Sequence, residues 1–306
     1  MHRNPILPYL VALCCLLGVP AFAEDSDPEL PNLGRNFTPI KRWDSDRPFH
    51  RKNLFKRVAG DQKFLVTTWW PAEARRLSFS LPLAMAVTGA TQSSADAGSA
   101  DLQLTRNFEG WSTGNRRGTA EFFTAVGDAK TSALILGSTY LVSRWAGNNR
   151  LERTTSLSGE ALINTAIYVS VLKKVTRRTR PASGGNGGFF ISSPIAGQES
   201  TSFPSGHAAG AFAVAAVIAG EYYERRLVAW LSYGTASMIA LSRVALGRHF
   251  PSDILAGAIL GQSIGQMVTY RATGLDDSPS QLWKRFRPHV DSTNGGFGVI
   301  YQHSWK

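Results

Sequence analysis

The chain has 306 residues, 43% of them hydrophobic and 18% charged, and a formal net charge of +11. A mean hydropathy of −0.12 fits a globular chain better than one built mostly of membrane spans. No zinc-finger, helix-turn-helix or RNA-binding signature accompanies the positive charge, which therefore points to anionic small molecules or anionic membranes and away from nucleic acid.

The N-terminus reads as a processing segment. His2 and Arg3 precede the apolar run Ile6 to Val19, and Ala21-Phe22-Ala23 supplies a small-x-small cleavage site before Glu24. Residues 1–23 are thus expected to be a cleaved signal peptide, with export to the periplasm of a Gram-negative cell. Both cysteines, Cys14 and Cys15, lie in the apolar run, so the mature chain is expected to have no disulfide and no thiolate chemistry. Residues 24–63 are polar, with Pro28, Pro31, Pro39 and Pro48, and read as an extended arm. A short apolar helix is predicted over 78–90. Residues 91–119, rich in Ser, Gly, Asp and Asn, read as a long loop. Helices are predicted at 120–146, 158–180, 206–222, 227–242 and 252–271, with a glycine-rich connection at 181–203. The tail, 272–306, ends in an alternating stretch around Phe297 to Trp305 that suits a strand or a surface-associating segment. The fold class is therefore all-α, a compact bundle of about six core helices spanning 64–271. Its uninterrupted apolar stretches fall short of the roughly 20 residues a span needs. Contact with a membrane is accordingly expected to be peripheral, through the basic face.

Three stretches carry the chemistry. The first is Lys173, six residues, then Arg180-Pro181; the second is Pro204-Ser205-Gly206-His207; the third is Ser242-Arg243, five residues, His249, three residues, Asp253. Seven residues are about two helical turns, so Lys173 and Arg180 are expected on one face of a helix that Pro181 ends. Ser205 is a natural N-cap, and Gly206 lets a ligand approach the free amides and positive dipole end of the next helix. Arg243 leaves the end of an apolar helix. His249 lies in the following turn, where Asp253 can hold one imidazole nitrogen and leave the other as nucleophile. Three cations, a helix-opening Ser-Gly pair, two histidines and one carboxylate suit phosphoryl transfer without a metal or cofactor. The remaining histidines, His2, His50, His289 and His303, fall outside the motifs.

With these motifs the chain resembles the type 2 phosphatidic acid phosphatases, whose superfamily includes bacterial non-specific acid phosphatases and vanadium haloperoxidases. The signature K-x6-RP, PSGH, SR-x5-H-x3-D is present without a departure, and the resemblance is strongest from about Gly127 to Gln266. It implies that His249 attacks phosphorus and becomes a phosphohistidine, that Asp253 orients it, and that His207 protonates the leaving group and then activates water. It implies phosphate binding by Lys173, Arg180, Ser205, Gly206 and Arg243. The expected substrate is an anionic phosphate ester; lipid phosphates, lipid diphosphates and soluble monoesters all stay open, as does the oligomeric state. Two other functions use the same residues: a haloperoxidase with vanadate on His249, and an inactive phosphate-binding module.

Overall fold

The computed structural model describes residues 54–74, 77–95, 100–183, 201–223, 225–272, 286–290 and 297–301. The expected signal peptide, the expected arm up to residue 53 and most of the 181–203 connection lie outside them. The described residues form a helical fold, as expected, though with nine helices where about six core helices were expected, followed by a small ribbon. The helices are α1 (Leu54–Phe64, continued by a π-helical turn at Leu65–Trp69 and a last turn at Trp70–Glu73), α2 (Leu77–Ala95), α3 (Ala100–Trp111), α4 (Asn115–Val126), α5 (Ala129–Trp145), α6 (Asn149–Thr176), α7 (Gly206–Glu221), α8 (Arg226–Ala245) and α9 (Pro251–Ala272). In the tail, β1 (Phe286–Val290) pairs antiparallel with β2 (Phe297–Tyr301), Phe286 opposite Tyr301. The alternating stretch thus contains a strand.

Helix α7 is the centre. It is apolar on nearly every side and packs against α6, α8 and α9 at once, as a helix without a polar face must. Phe212, Tyr233, Val244, Ile254 and Ile259 fill one side of the core; Leu157, Val217, Ile264 and Met267 fill another, with Leu65 and Trp69 beyond α1. Trp69 donates its indole N–H to Ser263 Oγ at 3.1 Å, so its polar edge is satisfied inside the core.

The contact between α7 and α9 is unusually close because α9 presents Gly257, Gly261 and Gly265, four residues apart and so on one face. A Cβ at Gly261 would stand 1.9 Å from the carbonyl oxygen of Ala209, at Gly265 2.3 Å from that of Ala213, and at Gly257 2.5 Å from that of Ser205. Backbone meets backbone along this stripe, and it sets Ser205 against the start of α9.

Four expectations need correction. Residues 91–119 are not a loop: α2 runs to Ala95, and α3 and α4 fill most of the rest. On α3 the buried positions are Asp101, Thr105 and Phe108, with Ser112 just beyond it, a helical spacing carried mostly by polar residues that hydropathy cannot detect. The helix expected over 120–146 is two, broken at Gly127, after which Asp128 caps α5 by accepting from the Lys130 N–H at 2.9 Å. Residues 54–63 of the expected arm are helical, and Asp61 is buried against Asn164 (2.8 Å) and Arg271. Finally, α6 ends at Thr176, not at Pro181. Arg177 takes a left-handed φ of 45°, and the chain leaves the helix there. Lys173 and Arg180 therefore do not share a helical face.

Gly261→Ala should destabilise the fold by about 1–3 kcal/mol, the usual cost of overpacking, because backbone must move. Gly159→Ala, where an added Cβ meets nothing within 4 Å, should stabilise α6 by roughly 0.5–1 kcal/mol. Denaturant unfolding of the two variants checks both signs.

Candidate functional site

The site is built where α6 ends, α7 begins and α8 turns into α9. Ser205, after a cis Phe203–Pro204 bond, caps α7: its hydroxyl faces the Ala208 N–H at 3.5 Å, and its own N–H bonds the Asp253 carbonyl at 3.0 Å. Gly206 and His207 then form the first turn of α7. Arg243 lies in the last turn of α8. The following turn, with Gly247 at a φ of 63°, brings His249 back against α9, whose first turn carries Asp253.

Asp253 is fully buried. Its carboxylate accepts the Phe250 N–H at 2.9 Å and the Ser202 hydroxyl at 2.5 Å, and it pairs with Arg178. The Phe250 contact is the helix-capping role, and the same Oδ2 stands 3.6 Å from His249 Nδ1. Burial would raise the Asp253 pKa, but the Arg178 charge and the His249 and Ser202 partners outweigh it and hold it at about 2. Asp253 is therefore an anion at neutral pH. His249 is almost fully buried, and its pKa is lowered first by burial; Asp253 opposes the shift, while Lys173 and Arg243 add to it. The ring is held neutral. A proton on Nδ1, toward Asp253, leaves the Nε2 lone pair free.

His207 is more open. Burial first, then the charges of Arg243, His249 and Lys173, lower its pKa to about 4, with Asp128 opposing. Arg243 is itself lowered to about 10 by burial and by Arg180 and Arg248, and stays charged. These mutual effects place Lys173, Arg180, His207, Arg243 and His249 in one electrostatic neighbourhood, although Lys173 and Arg180 arrive there from a helix and from the segment after it. Among the described residues no group of three or more His, Cys, Asp or Glu side chains is arranged to hold a metal ion.

Two cavities meet at His207 and Asp128. One, of about 970 Å³, runs between α5 and α6, lined by Leu136, Tyr140, Leu162, Ile163 and Val169 among others, with Lys173 and Gly206 near His207 and an Arg57–Glu160 ion pair (2.8 Å) at another part of its wall. The other, of about 560 Å³, is lined by Arg117, Glu121, Thr124, Arg243 and Arg248 among others. His249, Asp253 and Arg180 line neither; His249 lies deeper than His207.

Sequence reasoning missed four residues here. Arg178 is completely buried and also bonds Asp101 (2.7 Å) and Ser252 (2.7 Å), with its guanidinium 4.2 Å from the Phe250 ring centre. Ser202 and Ser252 complete the set. Arg178 sits inside Thr-Arg-Arg-Thr-Arg, which reads as a solvated helix end; the signal that could have singled it out is its place five residues after Lys173, within the first motif.

The family model of the PAP2 superfamily matches residues 156–275, a stretch holding all three motifs. A lipid A 1-phosphatase of Rhizobium etli is 32% identical over 126 residues, covering 38% of this chain and 52% of that protein. Phosphatidylglycerophosphatase B of Bacillus subtilis is 32% identical over 127 residues, 38% of this chain and 53% of that one. The chain thus spans about half the length of these relatives. Among solved structures, a transmembrane PAP2-type phosphatidylglycerolphosphate phosphatase from Bacillus subtilis aligns with 65% of this chain and 92% of its own, at 22% identity and a TM-score of 0.44.

A phosphate dianion bound among these cations would favour protonated His207 by direct attraction. Imidazole NMR should find the His207 pKa at about 4 in free protein and clearly higher with saturating inorganic phosphate. A free-protein value near 6.5, unmoved by phosphate, would contradict the electrostatic description.

Proposed function

We propose that this chain is a metal-independent lipid phosphatase acting through a phosphohistidine on His249. The observation that carries the reading is a junction: a group of cations and two histidines opens at His207 onto a large apolar cavity. Cations and α7 amides suit a phosphoryl group, and an apolar cavity suits an acyl or isoprenyl chain. The PAP2 superfamily match and the names of the two relatives support the same choice. No helix of the described residues is long and apolar enough to cross a membrane. Exposed Leu134, Leu141 and Trp145 on α5, which also lines the cavity, suit contact with a lipid surface.

In this mechanism Lys173, Arg180, Arg243 and the Ser205–Gly206 cap hold the phosphoryl oxygens and offset the charge that spreads over them in the transition state. His249 Nε2 attacks phosphorus in line. The N–P bond forms as the P–O bond to the leaving group breaks, and His207 gives its proton to the departing oxygen. Water then attacks phosphorus, His207 takes its proton, and the N–P bond breaks to release phosphate and neutral His249. Asp253 stabilises the positive imidazole ring between the two steps. His207 is neutral in the free site and gains its proton with the substrate dianion, so binding and acid catalysis are linked. The domain reading proposed with it is a cleaved signal peptide at 1–23, periplasmic export, and a catalytic helical body ending near residue 271.

Gly137 and Gly159 line the apolar cavity from α5 and α6, and neither has a neighbour within 4 Å of an added Cβ. Gly137→Leu and Gly159→Leu should therefore fill the cavity without disturbing the helices. Turnover of a long-chain lipid phosphate should fall at least about tenfold, the scale of a few lost buried methylenes. Hydrolysis of a short soluble monoester should hold, and excess chelator should leave both activities intact. Equal loss on both substrates would remove the acyl-chain assignment, and strict dependence on a divalent metal would remove the metal-independent one.

A further inference from the structure

Asp101 lies on α3, outside the residues that match the PAP2 superfamily, yet it reaches the centre of the site. Its Oδ1 accepts the Ser252 N–H at 2.9 Å, and its Oδ2 accepts the Ser252 hydroxyl at 2.6 Å and Arg178 Nη2 at 2.7 Å. Arg178 Nη1 bonds Ser252 Oγ at 2.7 Å and pairs with Asp253 Oδ1. Asp101, Arg178, Ser202, Ser252 and Asp253 are all buried. The cluster therefore holds two carboxylates and one guanidinium, a net charge of −1. Among the described residues Arg178 and His249 are the titratable side chains that act on Asp253, and Lys173 and Arg243 act in turn on His249.

We propose that Arg178 and Asp101 are positioning residues that keep Asp253 ionised and thereby keep the His249 proton on Nδ1, away from the attacking nitrogen. The proposal rests on the phosphohistidine reading above. Two carboxylates buried together cannot both stay charged without a cation between them. Without Arg178, one of them takes a proton. A protonated Asp253 donates to His249 Nδ1, the ring proton moves to Nε2, and the nucleophilic lone pair is turned away from phosphorus. Asp101 does the complementary work: it anchors Arg178 and the start of α9 in one geometry. The present 3.6 Å between His249 Nδ1 and Asp253 Oδ2 is longer than a hydrogen bond. Such a contact commonly tightens once substrate is bound.

The test uses the full chain and compares wild type, Arg178→Met, Asp101→Asn, the double variant and Arg178→Lys, each checked for folding by circular dichroism and thermal unfolding. Nitrogen NMR of His249 needs no turnover, so it separates this proposal from the phosphatase reading. Wild type, Asp101→Asn and Arg178→Lys should show Nδ1–H, and Arg178→Met should show Nε2–H. Turnover of a lipid phosphate should fall at least about 10²-fold in Arg178→Met, the scale of a lost general-base or tautomer function. It should then rise with pH as Asp253 ionises at its raised pKa, a limb that wild type lacks. The double variant removes one charge of each sign and should regain the Nδ1–H tautomer and most of the lost activity. A double variant no better than Arg178→Met, or Nδ1–H persisting in folded Arg178→Met, would overturn the proposal. Should Arg178→Met fail to fold, the double variant and Arg178→Lys still decide: Nε2–H in either one overturns it.

Discussion

The buried carboxylate of Asp253 is the constraint around which the site is arranged. An uncompensated charge at that depth costs several kcal/mol even after relaxation, so it must be surrounded by donors. Arg178 comes from the segment after α6, Ser202 from the approach to α7, and the Phe250 N–H and His249 from the turn before α9. The backbone carbonyl of Asp253 also accepts from Ser205, the cap of α7. One residue thus ties all three motifs, and the glycine stripe of α9 lets α7 come close enough for the tie to form. The early end of α6 follows from the same demand. A last helical turn through Arg180 would carry Arg178 away from Asp253, and the residue before a proline resists the helical conformation in any case.

Cations outweigh Asp128 in the electrostatics around His207. After burial, the charges of Arg243 and Lys173 lower the His207 pKa, and Arg180 and Arg248 lower that of Arg243; these cations crowd the space where a phosphoryl group is proposed to bind. Burial first, and then the charges of Arg243, His249 and Lys173, hold the His207 pKa at about 4; the cations among them are proposed to attract a dianion. In the proposed mechanism a bound dianion offsets these charges, so the imidazole can hold the proton it delivers. Asp253, 3.6 Å from His249 Nδ1, supplies the negative charge that the proposed phosphorylated imidazole ring needs.

Much of this was legible in the sequence, for identifiable reasons. The motif residues were found because their chemistry is unusual at those spacings, and α7, α8 and α9 because long apolar runs between turn signals leave few alternatives: the expected 206–222, 227–242 and 252–271 are Gly206–Glu221, Arg226–Ala245 and Pro251–Ala272. What was not legible is polar and buried. Helix α3 shows the core Asp101, Thr105 and Phe108, a stripe whose buried members are mostly hydrophilic, so neither its helicity nor its burial follows from hydropathy. Asp101 meets Ser252 across 151 residues of sequence, and no local pattern announces a partner at that distance. Arg178 was hidden by its neighbours: in a run of threonines and arginines, a fully buried guanidinium looks like that of the exposed Arg177 beside it. The break at Gly127 was missed because a helix pattern continues across it, while the reason for the break, the close approach of Ile239 and His207 to that glycine, is tertiary.

The central claim is that His249 carries the phosphoryl group. The most direct measurement is acid- and base-controlled quenching of the full chain during turnover of a lipid phosphate labelled in the scissile phosphate, followed by peptide mapping of the protein-bound label. The account predicts an acid-labile, base-stable label on the peptide holding His249, present in wild type and lost together with turnover in His249→Ala. Label on any other residue of the wild-type protein, or undiminished turnover in His249→Ala, would contradict it.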